Sequence, residues 1–235
     1  MPNPQFTKPW HGVPRDQIQW NPSLIEEACI GCGTCVTGCS RLVYRFDFDR
    51  KGPVVFAKDE HNRPETTAES LAKLKPAFRK EGTITAGNAP GLNTGAAAML
   101  VAERGWAEKN GMKPMARLVS YGLGAVEPGM FGLGPVPAVR QALARAGWTA
   151  AQVERVEINE AFAAIALACL REIGFAEDVV NVDGGAIAHG HPIGASGAVL
   201  TTRLLHSMQR DGLKRGIVTL CIGGGQGIAL AVECL

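Results

Sequence analysis

An α/β layered fold is what this sequence predicts, and three observations predict it. Short apolar runs of strand length alternate with stretches whose apolar residues recur every three or four positions. Glycine-dense turns separate them. The chain ends on two strand-like runs, 216–220 and 228–232, joined by GGGQG, which reads as a hairpin. Strands alternating with helices bury their apolar faces best as a sheet with helices laid against it.

The first 56 residues differ in character from the rest. Residues 1–22 are rich in Pro, Gln, Asn and Trp and show no periodicity, so they read as an arm that packs through Trp10 and Trp20 or stays mobile. The run CIGCGTCVTGC follows, with Cys29, Cys32, Cys35 and Cys39. Thiolates spaced this way on a glycine-bearing turn can converge on a 4Fe-4S cluster, and the run resembles the first half of a bacterial ferredoxin motif. It departs from that motif in having Ser40 where proline is usual and no second cysteine set for Cys39 to serve. A structural zinc held by all four is the other metal reading, at an unusual spacing. A segment that cannot close any metal site is the third. Composition changes near residue 56, dividing the chain into 1–56 and 57–235, the latter comprising a loop segment 57–80 and a core 81–235.

Beyond residue 57 each element has a local reason. Thr66 or Thr67 is placed to cap a helix presenting Leu71 and Leu74 inward. Residues 83–95 form a Gly/Asn-rich turn after a short strand. Residues 95–110 read as a helix with Ala96 to Ala98, Met99, Val101 and Ala102 inward. Residues 116–126 alternate as a strand, 127–137 form a loop, and 138–147 form an amphipathic helix ended by Gly147. Residues 153–158 are a short strand. Asn159 then reads as the N-cap of a long apolar helix, with Glu160 in its first turn. Residues 216–220 are a buried strand that delivers Cys221.

Composition excludes several classes of function. A net charge of +2 spread over both signs gives no footprint for nucleic acid. The longest apolar run, 161–170, is about half of what a spanning helix needs, and the N-terminus has no apolar signal core. A soluble cytoplasmic protein is expected. Four of the seven cysteines cluster between Cys29 and Cys39, which fits metal binding better than a disulfide framework.

The chemistry concentrates in 183–197, DGGAIAHGHPIGASG. His191 precedes Pro192, which restricts it to extended backbone, and helical periodicity begins after Gly194. A histidine fixed just before a helix N-terminus stays neutral more readily, because the dipole disfavours added positive charge. Such an imidazole can take a proton or donate a hydrogen bond to an oxyanion. A glycine-rich connector with an incidental histidine is the plainer reading.

Two further stretches, CIGGGQG at 221–227 and NEAFA at 159–163, accompany it. Together the three resemble the signature motifs of thiolases, which make or cleave 3-ketoacyl-CoA; the resemblance runs from about residue 57 to 235. It implies one half of the duplicated thiolase fold, a five-stranded mixed sheet with packed helices. It also implies that His191, Cys221, Asn159 and Gly223 are catalytic. The histidine would activate a nucleophilic thiolate and Cys221 would move the α-proton. Gly223 N–H and an Asn159-held water would serve oxyanions. Coenzyme A is implied as substrate, with Arg63 on its nucleotide part and Ala161, Phe162 and Phe131 along the bound acyl-CoA. The family usually has a serine where Pro90 stands and an aspartate where Thr94 stands, so one pantetheine contact is missing. The nucleophile belongs to the family's N-terminal half, in whose place the ferredoxin-like segment stands. Acyl-CoA is therefore the expected small-molecule partner, and homo-oligomerisation or association with an N-terminal half is expected. An iron–sulfur electron carrier and a non-catalytic CoA-binding subunit are the alternatives.

Overall fold

The computed structural model describes residues 63–235, which lie in the second of two units into which the chain divides between residues 60 and 61. The cysteine run Cys29 to Cys39 lies outside the described residues.

Four strands form one sheet: β1 (Ala116–Ala125), β2 (Arg155–Ile158), β3 (Arg215–Ile222) and β4 (Gln226–Cys234), in the order β1-β4-β3-β2. β2 runs parallel to β3, and the other two pairs are antiparallel. The hairpin expected at 216–232 is present, with each strand longer than its apolar run. Four strands among the described residues is one fewer than the five expected. On the outer side of β2 the described residues add a single parallel bridge, Val156 to Val180. The chain there leaves a short 3-10 turn, Glu177–Val179, and enters positive φ at Asn181, which stops a ladder from growing. The Asn181 amide substitutes for strand backbone: its Oδ1 accepts from Ile158 N and its Nδ2 donates to Ile158 O, both at 2.9 Å.

Helices lie on both faces. α1 is Ala68–Ala72, α2 Arg104–Lys109, α3 Pro135–Ala146, α4 Ala163–Ile173, α5 Ala186–His189 and α6 Ser196–Asp211. α3 and α4 cover one face, burying Val139, Ala142, Ile165 and Cys169 against Val156, Ile158 and Ile217. α3 can approach β1 closely because Gly122 has no side chain: a Cβ there would lie 1.9 Å from the carbonyl oxygen of Ala138. α6 covers the other face with Leu200, Leu204 and Met208 against Val218 and Val232. Burying each of these large side chains contributes about 1.5–3 kcal/mol.

Three helix expectations need correction. The helix expected over 95–110 forms only as α2, and Met99, Leu100 and Val101 are exposed. A short helix depends on burying an apolar face, and these residues are not buried among the described ones. α3 begins at Pro135, inside the expected loop, because proline suits the first helical position. Asn159 is not a helix cap: its backbone continues β2, donating to Thr219 O at 3.0 Å, and Phe162 stands at the N-cap of α4. At the other end of the core, Thr67 caps α1 in a reciprocal box with Ser70, as expected, although Leu71 and Leu74 remain about 40% exposed.

Candidate active site

β2 and β3 are parallel, so both end at the same edge of the sheet, the edge where open α/β sheets bind ligands. Asn159 follows the last residue of β2, and Cys221 is the penultimate residue of β3. Asn159 is buried, 2% exposed. Its Nδ2 lies 3.3 Å from Nε2 of His191.

His191 is delivered by a loop built from close approaches. Its backbone N donates to Asn93 Oδ1 at 3.1 Å and to Gly91 O at 3.3 Å, and it bridges to Leu92. The Asn93 amide fits because the preceding residue is glycine: Gly190 has φ +92°, and a Cβ there would sit 2.4 Å from that side chain. Gly95 is likewise filled by the ring of Pro192. Further back, the Glu160 carboxylate accepts from Ile187 N at 3.0 Å and Asn181 Nδ2 at 3.1 Å, in space left by Gly185. Glu160 therefore ties the loop to the end of β2 rather than entering a helix turn. After Pro192 the chain turns once and α6 starts at Ser196, so His191 does precede a helix N-terminus. Its Nδ1 lies 2.6 Å from Ser196 Oγ, which donates to Pro192 O at 2.9 Å.

Burial disfavours the charged forms of both His191 and Cys221. Burial, and secondarily the nearby His189, hold His191 below the ordinary histidine value. Cys221 is half-buried and packs on the α3–α4 side of the sheet; burial pushes its thiol up. Cys169 is buried in that core and donates to Gly132 O at 3.2 Å. Its thiol is pushed up to about 12, by burial first and then by Cys221 and Glu172. Among the described thiols Cys221 is thus the one at the sheet's ligand edge, while Cys169 is a core residue, as its apolar surroundings in sequence suggested.

Gly223 is exposed in the β3–β4 turn, with open space where a Cβ would be. Ala161 and Phe131 pack partly buried against the core cluster. Phe162 does the same and also meets Phe78 edge-on, ring centroids 5.5 Å apart. Arg63 is exposed at the first described residue, its carbonyl accepting from Thr66. No group of three His, Cys, Asp or Glu side chains among the described residues could hold a metal ion.

The family model described as the thiolase C-terminal domain matches residues 112–234. This chain belongs to the thiolase family. The thiolase N-terminal domain model matches residues 46–105, which span the division expected near residue 56. The chain is 55% identical over 185 residues to the acetyl-CoA acetyltransferase of Chromobacterium violaceum, covering 78% of this chain and 47% of that protein. Among solved structures it resembles the Bacillus anthracis acetyl-CoA acetyltransferase, with TM-score 0.75, 48% identity and coverage of 80% of this chain and 48% of that one. It also resembles human mitochondrial 3-ketoacyl-CoA thiolase in complex with CoA, with TM-score 0.69, 42% identity and coverage of 75% and 45%. This thiolase-family chain spans about half the length of the curated relatives it matches. No helix of the described residues is long and apolar enough to cross a membrane.

Sequence reasoning missed Asn93, Glu160 and Ser196 as the parts that hold His191. Asn93 and Glu160 reach the loop from distant segments and leave no local signal. Ser196 had one: it lies four residues after Pro192, the spacing that turns a hydroxyl back toward the preceding turn of a helix.

Proposed function

We propose that this thiolase-family chain supplies the acyl-CoA half-site of a thiolase acting on 3-ketoacyl-CoA such as acetoacetyl-CoA. The observation that carries this is the hydrogen-bonded pair of Asn159 and His191 at the shared end of β2 and β3, with Cys221 near that same end of β3. In cleavage, a nucleophilic thiolate adds to the 3-keto carbon, the C2–C3 bond breaks, and its electron pair leaves as the enolate of acetyl-CoA. Cys221 returns a proton to C2 of that enolate; in condensation it removes the same proton. Asn159, through a held water, and His191 would stabilise one oxyanion and Gly223 N–H the other. One such donor contributes about 3–4 kcal/mol to the barrier.

The nucleophile has to come from outside the described residues, because Cys169 is locked in the core and Cys234 ends β4 with its thiol raised by burial. A thiolase N-terminal half is the partner this reading requires, in the same molecule or a second one. Arg63, Ala161, Phe162 and Phe131 are assigned to CoA and its acyl arm on the thiolase resemblance alone. A cytoplasmic setting belongs to the same reading, supported by cysteines that cluster rather than spread as a disulfide framework. The 4Fe-4S alternative attaches to Cys29, Cys32, Cys35 and Cys39; absorbance near 400 nm in anaerobically purified protein is its signature.

CoA binding tests the reading without requiring turnover. Titration of the purified chain with acetyl-CoA should release saturable heat that Asn159→Asp weakens. Equal heats for both proteins, or none for either, would sink it.

A further inference from the structure

His191 is useful to an acyl transfer only if the correct ring nitrogen carries its proton. A neutral imidazole has one N–H, and the two nitrogens are set by what each faces. Around His191 the hydrogens can be counted. Ser196 Oγ lies 2.9 Å from Pro192 O and 2.6 Å from Nδ1. A hydroxyl has a single hydrogen. A carbonyl oxygen only accepts, so a hydroxyl that donates to Pro192 O, beside the Ala195 and Ser196 N–H groups, has only its lone pairs left for the ring. A proton on Nδ1 satisfies that 2.6 Å contact. The reverse arrangement would leave two acceptor oxygens facing each other across 2.9 Å. The other end of the ring agrees. With Nδ2 facing the ring at 3.3 Å from Nε2, the Asn159 amide pairs with a lone pair there.

We propose that Ser196 is a positioning residue that fixes His191 as the Nδ1–H tautomer, keeping the Nε2 lone pair turned toward Asn159 and the site. Ser196 is suited to this: it is 5% exposed, and its backbone N also donates to Pro192 O at 2.8 Å. Hydroxyl and ring are thus fixed in one turn, HPIGAS, at the start of α6. The lone pair is the acceptor a thiol needs to become a thiolate. The proton taken from that thiol then becomes the Nε2–H that an oxyanion needs, so one orientation serves both halves of the reaction. This rests on the base role of His191 given above, but the tautomer itself is observable without catalysis.

The test is long-range proton–nitrogen NMR on the 15N-labelled full chain, with His191→Asn identifying the signal. Wild type should show a pyrrole-type Nδ1 and a pyridine-type Nε2. Ser196→Ala should move the population toward the Nε2–H form that free histidine prefers and lower the His191 titration midpoint. Ser196→Thr should restore both. An Nε2–H ring in wild type overturns the proposal, as does an unchanged tautomer and midpoint in folded Ser196→Ala. Should Ser196→Ala not fold, Ser196→Cys, with its weak acceptor, must show the same drift, and the absence of drift overturns the proposal equally. Acyl transfer failing while Nδ1–H is seen sinks the functional reading alone; Nε2–H in an active protein sinks this one alone.

Discussion

Glu157 and Arg203 meet inside the fold, Oε2 to Nε at 3.4 Å, where the β2 residue beside the site faces α6. The Glu157 side chain is buried, and its other oxygen, Oε1, has no hydrogen-bond partner among the described residues. Arg203 also donates to the carbonyls of Asp183 and Gly184, at 3.2 and 2.6 Å, so the same guanidinium holds the start of the loop that carries His191.

Burial outweighs that single ion pair and pushes the Glu157 carboxyl up to about 7. Between its unfolded value near 4.5 and about 7, the unfolded chain ionises while the folded chain keeps the proton. The stability Glu157 provides is full below that range and is lost as pH rises through about 7. At about 1.4 kcal/mol per pKa unit, the loss is on the order of 3 kcal/mol. Urea denaturation at pH 5 and pH 8 should show Glu157→Gln flattening the difference. A variant with the wild-type pH dependence would show that Glu157 is ionised throughout.

Cys221 should be alkylated by iodoacetamide in the folded chain well before Cys169. Cys221 is partly accessible, whereas Cys169 is 0% exposed and its thiol is raised further, to about 12. Because burial raises Cys221 as well, its rate should still be climbing above pH 9 rather than levelling off. Peptide mapping separates the sites; equal rates would place Cys221 in the core with Cys169.

The glycines divide into structural and permissive positions. Gly122→Ala drives a Cβ into the α3 backbone, and should cost about 3 kcal/mol or more, the upper end for overpacking. Gly223→Ala meets nothing within 4 Å and has no positive φ to strain, so its stability should change by no more than about 0.5 kcal/mol. Thermal melts of the two variants read this, and comparable losses in both would refute the contrast.

The chain should self-associate. Leu118, Tyr121 and Leu123 on edge strand β1 are more than half exposed, as are Leu100 and Val101. Several large apolar side chains exposed along one edge strand mark an interface more often than scattered single ones do. Sedimentation velocity should find species larger than a 24.8 kDa monomer; a single monomer boundary at working concentrations would count against it.

What the sequence made legible was whatever is encoded locally. The β3–β4 hairpin, α3 with Gly147 in left-handed conformation, the Thr67 cap and the burial of Cys169 follow from periodicity, turn residues and caps. Asn159 was misread because a good N-cap residue type says nothing about whether the backbone is already committed to a strand, and here Thr219 holds it there. The helix expected over 95–110 shrank because periodicity shows an apolar face but not what covers it. The Asn93 clamp on His191 and the Glu160 clamp on its loop at Ile187 depend on glycines making room for side chains far away in sequence, a relation visible only in three dimensions.

The most direct measurement is acetoacetyl-CoA thiolysis by a graft. In the full-length Chromobacterium violaceum relative, the matching stretch is replaced by the 185 residues of this chain that align with it. If Asn159, His191 and Cys221 form a competent half-site, the graft should turn over, and Cys221→Ala should reduce the rate by about 10²-fold or more, the usual contribution of general acid–base catalysis. A folded graft without turnover, or one in which Cys221→Ala keeps its full rate, would contradict the half-site.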